Sequence, residues 1–230
     1  MSTANILIIG ATSGIGYELW RYYASNGYVT YIMGRRGELL DKMENEYRDT
    51  TFTYKCDISD VESFDKALNA IVSHSGKLST AIVCAGIGDL NPELNKDIEL
   101  ETVTTNVAGW TNAVASIYTF FERQGGGHLV TITSVGGMQP TPVAPAYSAS
   151  KAFQINYTRS LQRKSKGTGV TVTEIRPGLV ATRMAKGEGL FWVMPVNRVC
   201  PQIIDAIKKS KRLSVVTRRW RIINYILKHL

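Results

Sequence analysis

The 230-residue sequence predicts an α/β fold: a doubly wound parallel sheet of about seven strands, with helices on both faces in a three-layer sandwich. Three observations carry this. Short apolar runs alternate along the chain with longer stretches of helical periodicity, the pattern of strand–helix–strand crossovers. The runs are continuously apolar, as strands buried on both faces require. Glycines punctuate the joints, one of them directly after the first run.

The elements follow in order. "NILIIG" (5–10) is a strand ending at glycine, and 14–26 is helical, stopped by Gly27. "YVTYIM" (28–33), β-branched and aromatic, is the second strand, followed by a polar helix to about Arg48. "TFTYKC" (51–56) alternates as a third strand, and Val61, Phe64, Leu68 and Ile71–Val72 recur at helical spacing. "TAIVCAG" (80–86) is strand then turn, and 97–123 is a long helix. "GHLVTIT" (127–133) is a strand opened by three glycines, 146–165 a helix, and "GVTVTEI" (169–175) a strand. A helix over 197–210 and a last strand "LSVV" (213–216) complete the pattern.

No linker, repeat or low-complexity stretch divides the chain, so 1–230 is read as one domain. A composition of 44% hydrophobic and 20% charged residues is that of an ordinary globular protein. No apolar run approaches the roughly 18 residues of a membrane span, and "MSTANILIIG" lacks the basic and long apolar segments of a signal peptide. Cys56, Cys84 and Cys200 form no CxxC and no zinc spacing, so a reducing cytoplasm and no metal are expected. The net charge is +8, but residues 201–230 hold eight basic residues against Asp205 alone. A near-neutral body with a basic tail, and no nucleic-acid motif, argues against nucleic-acid binding.

In such a sheet a ligand sits beyond the carboxyl ends of the strands, where the strand order reverses. After the first strand comes "GATSGIG", with Gly10, Gly14 and Gly16. This is not GxGxxG, but it shares the same physics: a tight turn, close backbone approach, and a helix N-terminus aimed at a pyrophosphate. The plain alternative is a strand-to-helix turn. After the second strand comes "GRRG", without the acidic residue that holds the adenosine ribose of NAD. Arg35 and Arg36 suit a 2′-phosphate instead, so NADPH is expected in preference to NADH; two solvated arginines are the alternative. Asp57, after the third strand, is either an adenine partner or a helix-capping acid. The fourth strand ends in "CAG" (84–86) and the fifth in "SVGG", with Ser134 at its mouth. The sixth is followed by "RPGLVAT", where Pro177 and Gly178 turn and Thr182 offers a hydroxyl. In "PAYSASK", Tyr147 and Lys151 stand one helical turn apart, a pair that means little alone.

Taken together, "GATSGIG", "CAG", "TNVAG", Ser134, "YSASK" and "RPGLVAT" resemble the short-chain dehydrogenase/reductase family, in its compact single-domain branch with a Rossmann-type fold, over about residues 4–216. The resemblance implies Asn106, Ser134, Tyr147 and Lys151 as the catalytic set. It implies cofactor contacts from Gly10, Thr12, Ser13, Gly14, Ile15, Gly16, Arg35, Arg36, Asp57 and Ile58 in the first half of the sheet. Cys84, Ala85, Gly86, Asn106, Tyr147, Lys151, Pro177, Gly178, Val180 and Thr182 complete that set. Two positions depart from the family: Ile9 stands where Thr is frequent, and Cys84 replaces the asparagine of "NAG". The loss of that amide is expected to weaken the loop slightly without changing the reaction.

The implied reaction is hydride transfer between nicotinamide and a carbonyl or secondary alcohol. Tyr147 would be the general acid/base, its ionisation favoured by Lys151 and by oxidised nicotinamide. Ser134 would hold the substrate oxygen, Lys151 the ribose hydroxyls, and Asn106 a water that carries protons onwards. The uncharged stretch 134–146 and the glycine-hinged apolar loop 183–195 frame a substrate site, with Met138, Phe191 and Trp192 as contacts and Arg183 for any anionic group. An apolar carbonyl or alcohol is the expected substrate.

The tail 217–230 would form a basic amphipathic helix, with Trp220, Ile222, Ile223, Ile226, Leu227 and Leu230 on one side. That suits peripheral contact with an anionic membrane or a partner, or equally a helix packed on its own domain. A homodimer or homotetramer is expected. A non-catalytic nucleotide-sensing or interaction protein on the same fold is the alternative function.

Overall fold

The computed structural model describes residues 4–182, 184, 192–217, 219–222 and 225. Seven strands, β1 (Asn5–Ile9), β2 (Val29–Gly34), β3 (Thr51–Lys55), β4 (Thr80–Val83), β5 (Gly127–Ile132), β6 (Val170–Pro177) and β7 (Leu213–Val216), form one sheet. All pairings are parallel, in the order β3-β2-β1-β4-β5-β6-β7. The helices are α1 (Gly14–Ser25), α2 (Gly37–Glu46), α3 (Val61–Ser75), α4 (Lys96–Val103), α5 (Trp110–Arg123), α6 (Pro145–Lys164) and α7 (Val196–Lys208). Every strand and helix read from the periodicity is present. The long helix read over 97–123 is two, α4 and α5, joined without a break by a π-helical turn, Thr104–Gly109.

Residues within each strand alternate between two cores because side chains point to opposite faces. Ile6, Ile8, Ile32, Ile82 and Ile175 pack against α1, α2 and α7 through Leu19, Trp20, Leu40 and Ile203. Leu7, Ile9, Met33, Val83 and Val172 pack against α3, α5 and α6 through Phe64, Ile117, Phe121 and Leu161. Fully buried Trp20 satisfies its indole N–H on Thr51 Oγ1 at 3.0 Å. Asp60 caps α3 by accepting from the Ser63 amide, and α3 ends at Gly76, with φ of +66°. Among the described residues no helix is long and apolar enough to cross a membrane.

The tail departs from the expected stripe. Arg219–Ile222 are helical, but Trp220 and Ile222 do not share an exposed face. Trp220 is 5% exposed and packs on Val135, Val215, Leu179 and the backbone of Gly178, whereas Ile222 is 65% exposed. Two positions apart on a helix is about 200° around its axis, so burying Trp220 turns Ile222 outward. Ile223, Ile226, Leu227 and Leu230 lie outside the described residues.

Trp220→Ala is expected to cost about 3–5 kcal/mol, as truncation of a buried aromatic does. Ile222→Ser should stay within about 0.5 kcal/mol, the range of ordinary surface changes. Denaturant unfolding of the two variants checks this, and equal small losses would show that Trp220 anchors nothing.

Candidate active site

The strand order runs outward from β1 through β2 to β3, and outward from β4 through β5 and β6 to β7. The crossovers α1 and α2, from β1 out to β3, cover one face, and α5 and α6, from β4 out to β6, cover the other, so the loops after β1 and β4 diverge. Three expected segments meet there. Gly10 has φ of +82°, and a Cβ on it would lie 2.7 Å from Ala85 Cα. Only glycine lets the turn after β1 lie against the "CAG" turn after β4. A Cβ on Gly14 would meet Thr182 at 3.1 Å, which brings in the turn after β6. Ser13 begins α1 without a side-chain cap, and no acid occupies the first turn of α1. The first amides of α1 therefore have no side-chain acceptor there, the donor set a pyrophosphate needs.

The two arginines after β2 reach towards this turn. Arg36 donates twice to Thr12 Oγ1, at 2.7 and 3.1 Å. Arg35 pairs with Asp57 at 3.4 Å and is half-exposed. Asp57 is not the helix cap: that role belongs to Asp60, while Asp57 Oδ1 accepts from the Ser59 amide and hydroxyl. The neighbouring Ile58 is buried, with its carbonyl against Gly109.

On the α6 side, Ser134, Tyr147, Lys151 and Asn106 come together. Pro145 starts α6, which has no side-chain cap of its own; Glu99 of α4 accepts the Ala146 amide at 2.9 Å instead. This fixes the first turn and with it Tyr147. Ser134 Oγ and the Tyr147 ring both border Gly136, with Ser134 as the phenol's hydrogen-bonding neighbour, and Ser134 Oγ accepts from the Gly136 amide at 3.0 Å. Burial raises the phenol above its ordinary value and the Ser134 bond opposes it. The expected lowering of Tyr147 by Lys151 is not seen: burial is the larger influence and Ser134 the opposing one. Lys151 Nζ lies 5.8 Å from the Tyr147 ring centroid, and burial pushes its ammonium down to about 8.

Asn106 lies in the π-helical turn. Its amide exchanges two hydrogen bonds with the Ile87 backbone, at 2.7 and 2.8 Å, and donates to Ser150 Oγ at 3.1 Å. It clamps the loop after β4 to α6. Its main-chain carbonyl accepts from Gln154 Nε2 at 2.9 Å. Gln154 was not foreseen, because a lone glutamine on a helix carries no sequence signal. Gly88 was also missed. A Cβ there would lie 2.6 Å from the Tyr147 ring, with Gly136 on the other edge at 3.3 Å. A third unforeseen feature is the buried pair Glu174–Arg176, which Thr133 joins at 2.9 Å and from which Arg176 reaches Met138 Sδ at 3.0 Å.

Cys84 is hydrogen-bonded through its amide to Ile9 in the β1–β4 ladder, and burial raises its thiol far above the usual range. Val180 bridges to Met194, and Pro177 ends β6. Of the substrate loop, Trp192 is 43% exposed and packs edge-on to Trp220 at 6.4 Å, its carbonyl accepting from Trp220 Nε1 at 3.4 Å. Phe191 and Arg183 lie outside the described residues.

Comparison with known proteins agrees with this fold. The family model for short chain dehydrogenases matches residues 4–190. Sulfoacetaldehyde reductase 2 of Chromohalobacter salexigens is 32% identical over 184 residues, 77% of this chain and 73% of the relative. An NADP-dependent 3-hydroxy acid dehydrogenase of Salmonella typhi is 28% identical over 178 residues, 76% of this chain and 72% of the relative. A short-chain dehydrogenase from Sphingobium yanoikuyae in complex with NADPH superposes with a TM-score of 0.84 at 21% identity, over 98% of this chain and 94% of that one. One from Burkholderia phymatum in complex with NAD gives 0.86 at 18% identity, over 97% and 92%. At these identities the two structures share the fold.

Gly88→Ala is expected to push the Tyr147 ring by roughly 0.9 Å, the shift that restores an ordinary carbon–carbon contact of about 3.5 Å. A crystal structure of the variant checks this; a ring left in place would show that the loop, not Tyr147, gives way.

Proposed function

The chain belongs to the short-chain dehydrogenase family, and on that basis we propose that it is an NADPH-dependent carbonyl reductase and alcohol dehydrogenase with Tyr147 as general acid/base. The observation that carries this reading is the meeting of Ser134, Tyr147 and Lys151 beside the glycine turn, where the loops after β1 and β4 part. Nicotinamide, when bound, supplies or receives the hydride.

The chain's own residues do the rest. Tyr147 is a phenol at neutral pH, since burial raises it, and so stands ready to deliver a proton to an alkoxide oxygen. Ser134 orients that oxygen with its hydroxyl. Lys151, pushed down to about 8, is still mainly ammonium at pH 7 and stabilises negative charge on the tyrosine as the proton leaves. Asn106 holds the loop after β4 against α6. The amides of α1 receive the pyrophosphate. Arg35 and Arg36 flank the end of β2, where they would hold a 2′-phosphate, and no carboxylate among residues 34–37 competes for a ribose.

The substrate is read as an apolar carbonyl or alcohol. Val135, Leu179 and Trp220 form an apolar wall beside Ser134. We further read the protein as a homo-oligomer, supported by the exposure of Leu100, Val103 and Phe153.

Tyr147→Phe should lower carbonyl reduction about 10²–10⁴-fold while leaving melting temperature and NADPH affinity nearly unchanged. The assay is NADPH absorbance over a panel of carbonyl compounds, and turnover within twofold of the parent would sink the mechanism. Arg35→Ala, and to a lesser degree Arg36→Ala, should weaken NADPH far more than NADH in fluorescence titrations. Equal affinity for both cofactors in the parent protein would mean that neither arginine reads the phosphate.

A further inference from the structure

Lys151 is buried without a carboxylate partner among the described residues. Its Nζ donates to Gln154 Oε1 at 2.9 Å, and Gln154 Nε2 donates to the Asn106 carbonyl at 2.9 Å. Gln154 is itself fully buried. Two features of the backbone make this span. On α6, Gln154 stands three residues past Lys151, on the same face. In the π-helical turn, the Trp110 amide bonds the Thr105 and Val107 carbonyls and passes over that of Asn106. A carbonyl that α-helical geometry would have spent on Trp110 is thereby turned towards α6.

The polarity of the bridge is fixed. A main-chain carbonyl can only accept, so Gln154 must turn its NH₂ to Asn106 and its oxygen to Lys151. An oxygen aimed at Nζ favours the ammonium over the neutral amine. We propose that Gln154 is a positioning residue of the proton-transfer site: it holds Lys151 beside Tyr147 and keeps it protonated, with the Asn106 carbonyl setting the direction of the carboxamide. The functional part of this rests on reading Tyr147 and Lys151 as the proton-transfer pair.

The titratable groups facing Lys151 are Tyr147 on its own helix and Cys84 from the end of β4. Burial lowers the lysine to about 8, and only an ionised Cys84 would oppose this. The Cys84 thiol is itself held protonated by burial and supplies no counter-charge at neutral pH. With one proton removed, the Tyr147–Lys151 pair is either tyrosinate with ammonium or phenol with amine, two forms of equal net charge. The Gln154 oxygen shifts the balance towards the first, the form that can accept a proton at tyrosine.

The test compares Gln154→Met, of similar length without the amide, with Gln154→Glu, which keeps an oxygen towards Nζ whether ionised or not. Lys151 is titrated by NMR of protein carrying ¹³C-labelled lysine, its resonance identified by its absence from Lys151→Met. Gln154→Met should lower the Lys151 midpoint by about one pH unit or more, a tenfold change in its ionisation constant. Gln154→Glu should leave it at or above the parent value. In the reductase assay, Gln154→Met should lower kcat with little change in KM, and the pH above which the rate declines should fall with the Lys151 midpoint. An unchanged Lys151 midpoint in a folded Gln154→Met protein would overturn the proposal. If that variant does not fold, a Lys151 midpoint lowered in Gln154→Glu would overturn it equally. A shifted midpoint in a parent protein that reduces no carbonyl would support the hold on Lys151 and count against the reductase reading alone.

Discussion

Two-sided burial of a parallel sheet is the constraint on which the rest of this structure depends. Neither face can meet water, so each crossover must lay a helix on one face or the other. With α1, α2 and α7 on one side and α3, α5 and α6 on the other, the two sets of connections part between β1 and β4. That parting is the one place where loops from both halves can surround a ligand without uncovering the core. The glycines answer to the same constraint. Gly10 allows the turn after β1 to touch Ala85, and bulkier residues there would force apart two strands that are hydrogen-bonded neighbours.

The buried polar residues beside this crevice are a cost that the fold has to offset. An unpaired ammonium in an apolar interior is expensive, and Lys151 meets no acid among the described residues. The π-helical turn supplies the remedy at the level of the backbone: it exposes one carbonyl, which orients one carboxamide, which presents one oxygen to Nζ. The same turn carries Asn106, whose side chain pins the loop after β4. One irregularity in a helix thus serves both the loop and the lysine. Glu174 and Arg176 follow a different rule, meeting each other inside the sheet with Thr133 as a third partner. Their pairing leaves both charges buried and matched.

Trp220 belongs to the body of the protein. Trp220 lies over Gly178, and only a glycine leaves room for the indole against that backbone. Trp192 then packs against Trp220, with the Arg219 guanidinium over its ring at 5.8 Å. The segment after β6 and the segment after β7 are therefore tied to each other above Val135, the residue that follows Ser134. The basic character of the tail remains, but its first aromatic is spent on packing.

Much of the fold was legible in the sequence, because burial on two faces writes itself as uninterrupted apolar runs such as "NILII" and "TAIV", and helices betray their period. The candidate site was legible to the extent that its residues sit at strand ends, where Gly10, Ser134 and Arg35 are short steps from regular elements. Tyr147 and Lys151 could be paired because one helical turn is a local distance. The rest depended on contacts between residues far apart in the chain. Asn106 and Gln154 are 48 positions apart, and only the packing of the π-helical turn on α6 makes them neighbours. Gly88 matters because Tyr147, from another element, fills the space beside it. The ionisation of Tyr147 was read from its charged neighbour, whereas burial is the largest influence on it, and burial is a property of the whole fold. Spacing along the chain settled which residues share an element; the desolvation and the hydrogen-bond partners that tune them were decided only when the elements packed.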